Sequence, residues 1–404
     1  MMKISGKKLK HTSAGLSLIV LFAFFPFYHD FVARGLIRPI FGGWFGPWAV
    51  VIFCLLFPPA AKSFLRSALR KNIFVVILLT TISYMALVAV VNLAFSNNPY
   101  TPIAATQSFA AIFLWLVLMS IAIYIPIDDA KLRVTLLIFF GFSFLFLIKF
   151  VIETGSLLYF PAILFSSEEV VASYQGFARS ALVVSFFLIA TSVSLGGRAF
   201  LFFAGAFALF VLGARSEFFA FLSSAIVFEL LRSRLSVNYL VFWVVFVVGF
   251  SFASALFWGD FVDSRHGQVL DLSSSSSWAL RTEALNRSIQ EISENAILGS
   301  FGSHILPGGE AGLYGHNILS AWQNYGLLGF LLVLILSTWA TVGSIAAVRR
   351  TNGRVAISNY SFLLNFCVLT LLLISKSIFW VVPGLAWGLY VAIELRSSEV
   401  LRSG

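Results

Sequence analysis

Long apolar segments separated by short polar stretches run along most of the chain. Twelve of these segments approach the roughly 20 apolar residues that a helix needs to cross a bilayer. They cover about residues 13–33, 44–60, 73–95, 104–126, 131–152, 180–195, 199–213, 216–232, 237–258, 317–345, 358–375 and 377–394. The pattern therefore predicts an all-α polytopic membrane protein with about twelve transmembrane helices.

The amino-acid composition leads to the same fold class. Of the 404 residues, 59% are hydrophobic, only 11% are charged, and 45 are phenylalanine. Soluble proteins carry about 25% charged residues, and a soluble core could not hide so much apolar surface. A chain built from soluble domains is therefore excluded.

The basic residues predict the orientation of the helices, because cytoplasmic loops are enriched in lysine and arginine. With both termini in the cytoplasm, the cytoplasmic segments hold 18 of the 27 lysines and arginines, and each segment holds at least one. The net charge of +10 then follows from topology and from contact with anionic membrane lipids. It does not require a nucleic-acid partner.

This topology divides the chain into three parts. Residues 1–258 hold transmembrane helices 1–9 with an external loop at about 153–179. Residues 259–316 form a larger external loop between helices 9 and 10, and residues 317–404 hold helices 10–12 and a cytoplasmic tail. Loops of this length are usually functional or serve as linkers, so we expect the chemistry on the external face.

The larger loop contains a predicted amphipathic helix at residues 278–294. At 100° per residue, its apolar stripe consists of Trp278, Leu285, Ile289 and Ile292. The opposite face carries Arg287 together with Glu283, Glu291 and Glu294. Arg287 is therefore expected to be solvated, whereas Arg281 lies at the edge of the apolar stripe. An inward guanidinium needs an anionic partner, which is either a substrate or an acid such as Glu217.

Two further features lie at the external ends of predicted spans. Arg215, in the sequence Gly-Ala-Arg-Ser-Glu, stands at the mouth of the eighth span, where a charge is either functional or an interfacial anchor. His316 begins a polar stripe over the first two turns of the tenth span. The other members of that stripe are Ser320, Gln323 and Asn324. Such a stripe is expected to line a wet cavity, because polar groups do not face lipid.

Two arginines and a histidine on the external face suit transfer from a lipid pyrophosphate. Arginine matches phosphate oxygens with two parallel hydrogen bonds, and histidine can accept the proton of an attacking hydroxyl near neutral pH. The outer face lacks an aspartate-rich metal motif, and the chain lacks a P-loop and a GxGxxG sequence. We therefore expect a reaction without metal or cofactor.

Residues 200–345 resemble the O-antigen ligase and O-antigen polymerase family of bacterial envelope glycosyltransferases. Three motifs carry the resemblance. The first is Arg215 at the start of a span, and the second is the loop helix that begins at Arg281 and runs to Gly299 and Gly302. The third is the pair His316-Asn317, which opens a span and leads to Gly326 and Gly329.

The resemblance implies a GT-C-like membrane fold of about twelve helices in the bacterial inner membrane, with the active site on the periplasmic face. It implies transfer of an undecaprenyl-pyrophosphate-linked glycan to a glycan or lipid A-core hydroxyl, with polysaccharide-assembly proteins as partners. Arg215 and Arg281 would bind the pyrophosphate, and His316 would activate or orient the acceptor. From the stripe and the loops we add four substrate-binding candidates: Asn317, Ser320, Gln323 and Arg179.

Two alternatives stay open on the sequence alone. A repeat-unit polymerase would use the same donor site as a ligase, so the motifs do not separate these two activities. A secondary transporter would also have about twelve spans, but it predicts two similar halves and charges deep in the bilayer. Lys149 and Glu229 are the charges that approach the interior of a predicted span.

Overall fold

The computed structural model describes residues 6–33, 36–38, 43–69, 71–155, 158–159, 174–232, 276–305 and 315–403. These residues form helices joined by turns and contain no β-sheet. The N-terminal helices are α1 (Gly6–Leu18), a π-helical turn (Ile19–Ala23), α2 (Phe25–Ala33), α3 (Phe45–Leu69), α4 (Ile73–Phe95) and α5 (Thr101–Tyr124). The central helices are α6 (Ala130–Thr154), α7 (Tyr174–Thr191), α8 (Leu195–Val211) and α9 (Arg215–Arg232). The remaining helices are α10 (Ser276–Glu294), α11 (Leu319–Thr351), α12 (Ala356–Ile374) and α13 (Val382–Ser403).

Seven helical segments of the described chain are long and apolar enough to cross a membrane. They are Lys8–Val32, Phe45–Leu69, Ile73–Phe95, Thr101–Tyr124, Ala130–Thr154, Leu319–Thr351 and Ala356–Ile374. Each overlaps a span predicted from the sequence, although Phe45–Leu69 extends nine residues beyond the predicted 44–60, so the prediction of an all-helical, multi-pass membrane protein is confirmed. The shorter apolar helices Gln175–Thr191 and Leu195–Val211 cover the sixth and seventh predicted spans. The ninth predicted span, 237–258, lies outside the described residues, and the total of twelve stays a prediction.

The boundaries of the first external loop differ from the prediction. Helix α6 ends at Thr154 because Gly155 caps it in the left-handed conformation. Helix α7 begins at Tyr174, six residues before the predicted start of the sixth span. Arg179 was predicted to lie in the loop at 153–179, but it lies in the second turn of α7. The sixth span was placed too late because Gln175 and Arg179 interrupt the apolar pattern there.

The chain forms two compact units. The first comprises residues 1–52, 125–274 and 345–367, and the second comprises residues 53–124, 275–344 and 368–404. In the second unit, α13 packs closely along α5. A Cβ on Gly384 would lie 2.5 Å from the Cα of Trp115, and one on Gly388 would lie 2.6 Å from the Cα of Met119. Small residues four positions apart therefore let the two backbones touch, as is common between membrane helices.

The first unit contains a buried ion pair between α8 and α9. The Nε and Nη2 atoms of Arg198 donate to the two carboxylate oxygens of Glu229 over 2.6 and 3.1 Å. The Nη1 atom of Arg198 donates to the carbonyl of Val193 over 2.8 Å. Both side chains are almost fully buried, so each charge depends on the other to avoid a large desolvation cost.

Candidate functional site

The candidate site of the second unit is built on a break near the start of α11. Gly326 interrupts this helix with φ +69° and ψ −173°, a combination that is essentially restricted to glycine. A Cβ at this position would lie 2.1 Å from the carbonyl oxygen of Ile297. The first turns of α11 are therefore separated from the rest of the helix at a point where another chain segment touches its backbone.

The segment that fills this break is the turn after α10. The amide of Ser300 donates to the carbonyl of Gln323 over 2.6 Å, and the amide of Leu327 donates to the carbonyl of Ala296 over 3.1 Å. Gly299 has φ +75°, and a Cβ on it would lie 2.5 Å from the amide nitrogen of Gly326. The turn after α10 is thus joined to α11 backbone to backbone, through two of the glycines that the sequence motifs contain.

A hydrogen-bond network joins the C-terminal half of α10 to α11. The Oε2 atom of Glu291 accepts from Nε2 of Gln323 over 2.7 Å and from the hydroxyl of Ser303. The Oε1 atom of Glu291 accepts from Nε of Arg287 over 3.1 Å. The Oε1 atom of Gln323 lies 3.0 Å from the hydroxyl of Ser288, which is fully buried. This network holds the loop helix against the head of α11.

Removing the Glu291 carboxylate should weaken the attachment of the loop helix. The variant Glu291→Ala removes the closer acceptor of the buried Gln323 amide and leaves only its longer bond to Ser303 at 3.3 Å, which we expect to cost about 1–3 kcal/mol. A lower temperature of thermal unfolding and faster proteolysis within residues 276–305 would be the measured signs. The matched control is Glu294→Ala, one turn further along the same helix, whose exposed carboxylate accepts a bond from Gln290. Equal effects of the two variants would contradict the structural role of Glu291.

His316 lies in the turn that precedes α11 rather than on the helix itself. The Oδ1 atom of Asn317 accepts from the amide of Leu319 over 3.0 Å, and this side-chain cap sets the start of the helix after it. His316 is half-buried. Burial lowers the pKa of His316, and the positive charges of Arg281 and Lys376 lower it further. The imidazole is therefore a neutral group beside two cations.

The segment between α12 and α13 brings Lys376 to this turn. The amide of Ile378 donates to the hydroxyl of Ser320 over 2.9 Å, and that hydroxyl donates to the carbonyl of Asn317 over 2.7 Å. The ammonium of Lys376 lies 5.9 Å from the ring centroid of Trp380. The Ser320 hydroxyl thus links the segment that carries Lys376 to the segment that carries His316.

A second histidine of the loop, His304, is fully buried. The Nε2 atom of His304 lies 2.8 Å from Oε1 of Gln107, and its ring stacks on Phe379. Burial lowers the pKa of His304 to about 4, although a hydrogen bond with Asn324 and the charge of Glu291 act in the opposite direction. His304 therefore stays neutral at physiological pH and serves to hold the loop against α5.

The loop helix has the predicted extent, but its buried face differs from the predicted one. Ala284 and Ser288 are buried, whereas Ile289 is 50% exposed, and the side chain of Trp278 lies outside the described residues. Arg287 is exposed, as predicted, and pairs with Glu291. The prediction that Glu291 lies on the solvated face is wrong. Helical periodicity did not show that its carboxylate has buried partners far along the chain.

Arg281 is half-buried in the second turn of α10. Among the described residues of the second unit, its guanidinium forms no ion pair with a carboxylate. Glu217, the acid that the sequence offered as a partner, belongs to the first unit, where it is buried and accepts a bond from Ser216 over 2.8 Å. The positive charge of Arg281 acts on His316, so the structure places these two candidates in one site.

The other two candidate arginines belong to the first unit. Arg215 is the first residue of α9 and is half-buried, directly after a turn in which Gly213 has φ +65°. Arg179 lies in α7, where its guanidinium stacks 3.9 Å over the ring of Phe45. The structure thus divides the predicted site residues between the two units, with Arg281, His316, Asn317, Ser320 and Gln323 in the second.

The polar stripe of α11 faces protein rather than a wet cavity. Ser320, Gln323 and Asn324 are fully buried, and each forms hydrogen bonds within the second unit. Lys376 was not among the site residues predicted from the sequence, and Glu291 was predicted to be solvated. The sequence did contain a signal for Lys376, because it is an isolated lysine between two apolar segments. It lies on the same predicted side of the membrane as the large loop.

Comparisons with known proteins do not identify the chain. Its sequence matches no family model, and a search of curated proteins finds no match either.

Proposed function

We propose that the protein is a membrane-embedded, metal-independent, inverting glycosyltransferase of the O-antigen ligase type. The donor is a glycan on undecaprenyl pyrophosphate, and the acceptor is a hydroxyl of the lipid A-core. The fold would be GT-C-like with about twelve transmembrane helices, in the inner membrane of a bacterium, and the site would face the periplasm. A repeat-unit polymerase with the same donor chemistry is the alternative within this class.

The observation that carries the proposal is the Ser320 hydroxyl, which joins the segment of Lys376 to the turn of His316 through bonds of 2.9 and 2.7 Å. The charges of Arg281 and Lys376 lower the pKa of His316 there. A general base must be unprotonated before it acts, and nearby positive charges keep a histidine in that state. The same charges would attract a pyrophosphate. The proposed base and the anion-binding groups thus lie near the N-terminal end of α11, which buried hydrogen bonds hold in place.

The proposed reaction is a direct displacement at the anomeric carbon. The acceptor oxygen forms a bond to that carbon while the bond to the pyrophosphate oxygen breaks, and the acceptor proton passes to His316. Undecaprenyl pyrophosphate leaves, and Arg281 and Lys376 stabilise the negative charge that develops on it. Attack opposite to the leaving group accounts for inversion.

The charges that favoured a transporter have structural partners. Glu229 pairs with Arg198, and Lys149 lies 3.5 Å from Glu153 on the exposed face of α6. In a transporter we would expect such charges to line a pathway between helices. Their pairing favours the enzyme.

The pH dependence of transfer tests the pairing of His316 with its neighbouring cations. In Lys376→Gln one positive charge that lowers the pKa of His316 is removed, so this pKa rises towards its ordinary value of about 6.5. The acidic limb of the pH–rate profile should therefore move to higher pH, because His316 becomes protonated sooner as the pH falls. The variant Lys376→Arg keeps the charge and should keep the wild-type profile. An unshifted limb in Lys376→Gln would remove Lys376 from the site.

The proposal as a whole is tested by deleting the gene in its host and analysing the surface polysaccharide. Long lipid-linked chains that fail to reach the outer core would establish a ligase, and accumulation of single repeats would establish a polymerase. Purified protein in liposomes with lipid-linked glycan and acceptor should remain active in the presence of a metal chelator. An unchanged surface polysaccharide in the deletion strain would refute both forms of the proposal.

A further inference from the structure

The first unit contains a cavity of about 330 Å³ that is lined by both polar and apolar residues. It is lined by residues from the α5–α6, α7–α8 and α11–α12 connections and from the C-terminus of α9. These segments all belong to the side that the basic residues predict to be cytoplasmic. Three arginines are among the lining residues, namely Arg133, Arg232 and Arg354.

Arg232 has a buried donor that lacks a partner. Its stem packs on Gly353, where an added Cβ would lie 2.7 Å from the Cγ atom of Arg232. Its Nη1 atom is buried and has no hydrogen-bond partner in the described part of the chain. The nearby Arg198 holds both oxygens of Glu229. A buried, unsatisfied guanidinium nitrogen is costly, which favours an acceptor from a ligand.

Asn359 contributes an acceptor to the same cavity. Its Nδ2 atom donates to the carbonyl of Ala190 over 3.2 Å and to that of Gly353 over 3.0 Å, so the orientation of the amide is determined. Its Oδ1 atom is buried and lacks a hydrogen-bond partner among the described residues. Two of the lining residues thus each contain one buried polar atom without a hydrogen-bond partner among the described residues.

The acidic residues of the lining leave the anion-binding character intact. Asp128 and Asp129 are both exposed, and Asp129 accepts from the amide of Lys131 over 2.8 Å as the cap of α6. The lining also includes Ala356, the first residue of α12. The N-termini of α6 and α12 and the C-termini of α7 and α9 all reach this cavity, so the helix dipoles oppose one another there and the three guanidinium groups supply the positive charge.

We propose that this cavity binds a phosphate ester. Arg133, Arg232 and Arg354 would surround the phosphoryl oxygens, because guanidinium groups bind them with paired hydrogen bonds. The Oδ1 atom of Asn359 would accept a hydrogen from the ligand, either from a phosphate hydroxyl or from an ammonium group. A volume of about 330 Å³ suits a phospholipid headgroup or a small soluble phosphate, which share this chemistry.

Binding measurements on the purified full-length protein test the proposal. One arm titrates glycerol 3-phosphate and inorganic phosphate calorimetrically in phosphate-free detergent buffer. The other arm counts retained phosphatidylethanolamine by native mass spectrometry after release from nanodiscs. In whichever arm the wild-type protein binds a ligand, the double variant Arg133→Ala/Arg354→Ala should bind that ligand at least about tenfold more weakly, because two charge-assisted contacts are lost. Binding in the first arm alone would identify a small soluble phosphate as the ligand. Binding in the second arm alone would identify a phospholipid headgroup.

The matched control is Arg349→Ala, which removes an exposed arginine of α11 that does not line the cavity and should leave binding unchanged. Arg133 and Arg354 are themselves exposed, so the double variant should fold, as checked by size-exclusion chromatography. If it does not, Arg354→Ala alone should weaken binding about threefold. The proposal fails if wild-type protein binds in neither arm, or if the Arg133 and Arg354 variants bind as tightly as wild type.

Discussion

Replacing His316 or Arg281 with alanine should abolish glycan transfer while the protein still inserts into the membrane. His316→Ala removes the proposed base, and general bases contribute about 10²–10⁴-fold to rate. Arg281→Ala removes a cation placed for the leaving pyrophosphate, and loss of one such electrostatic contact costs about 10²–10³-fold. Arg215→Ala should also abolish transfer, as the family resemblance implies. The measurement is the transfer rate in liposomes together with surface glycan display in cells.

Arg287→Ala is the matched control for Arg281→Ala. Both arginines belong to α10, but Arg287 is exposed and forms a surface pair with Glu291, and such a pair contributes little. Its replacement should change the transfer rate less than about twofold. Loss of activity as severe as in Arg281→Ala would show that the helix as a whole, rather than the half-buried guanidinium, matters for transfer.

The substitution Gly326→Ala should prevent the second unit from folding correctly. The backbone at Gly326 is essentially accessible to glycine alone, and an added Cβ would overlap the carbonyl oxygen of Ile297 at 2.1 Å. Strain and overlap together should cost about 3 kcal/mol or more. The carbonyl of Ile297 belongs to the backbone, so it cannot turn away. We expect a low yield of monodisperse protein and a lower temperature of thermal unfolding.

Gly141→Ala provides the comparison for Gly326→Ala. Gly141 lies inside α6, where a Cβ would meet nothing within 4 Å. Alanine has the higher helix propensity by about 1 kcal/mol, so this variant should be as stable as wild type or slightly more stable. If Gly326→Ala behaved like Gly141→Ala, the break in α11 would not be required for the fold.

Part of the site could be predicted because it depends on local patterns. The loop helix was predicted at 278–294 and observed at Ser276–Glu294, since its helical period is complete within the segment. The solvated position of Arg287 followed from the same period. The role of Glu291 did not follow, because its partner Gln323 lies 32 residues further along the chain. Helical periodicity predicts which residues share one face of a helix. It does not predict which side chain of another segment will contact that face.

The amino-acid sequence by itself determined that the chain is a helical membrane protein, because apolar length and the scarcity of charge suffice for that. It also determined which glycines and polar residues stand at the head of α11. The tertiary structure decided that Gly299 and Gly326 touch backbone to backbone, that Gln323 and Ser320 are buried, and that the charge of Lys376 acts on His316. These facts depend on contacts between distant segments, which arise only when the chain has packed.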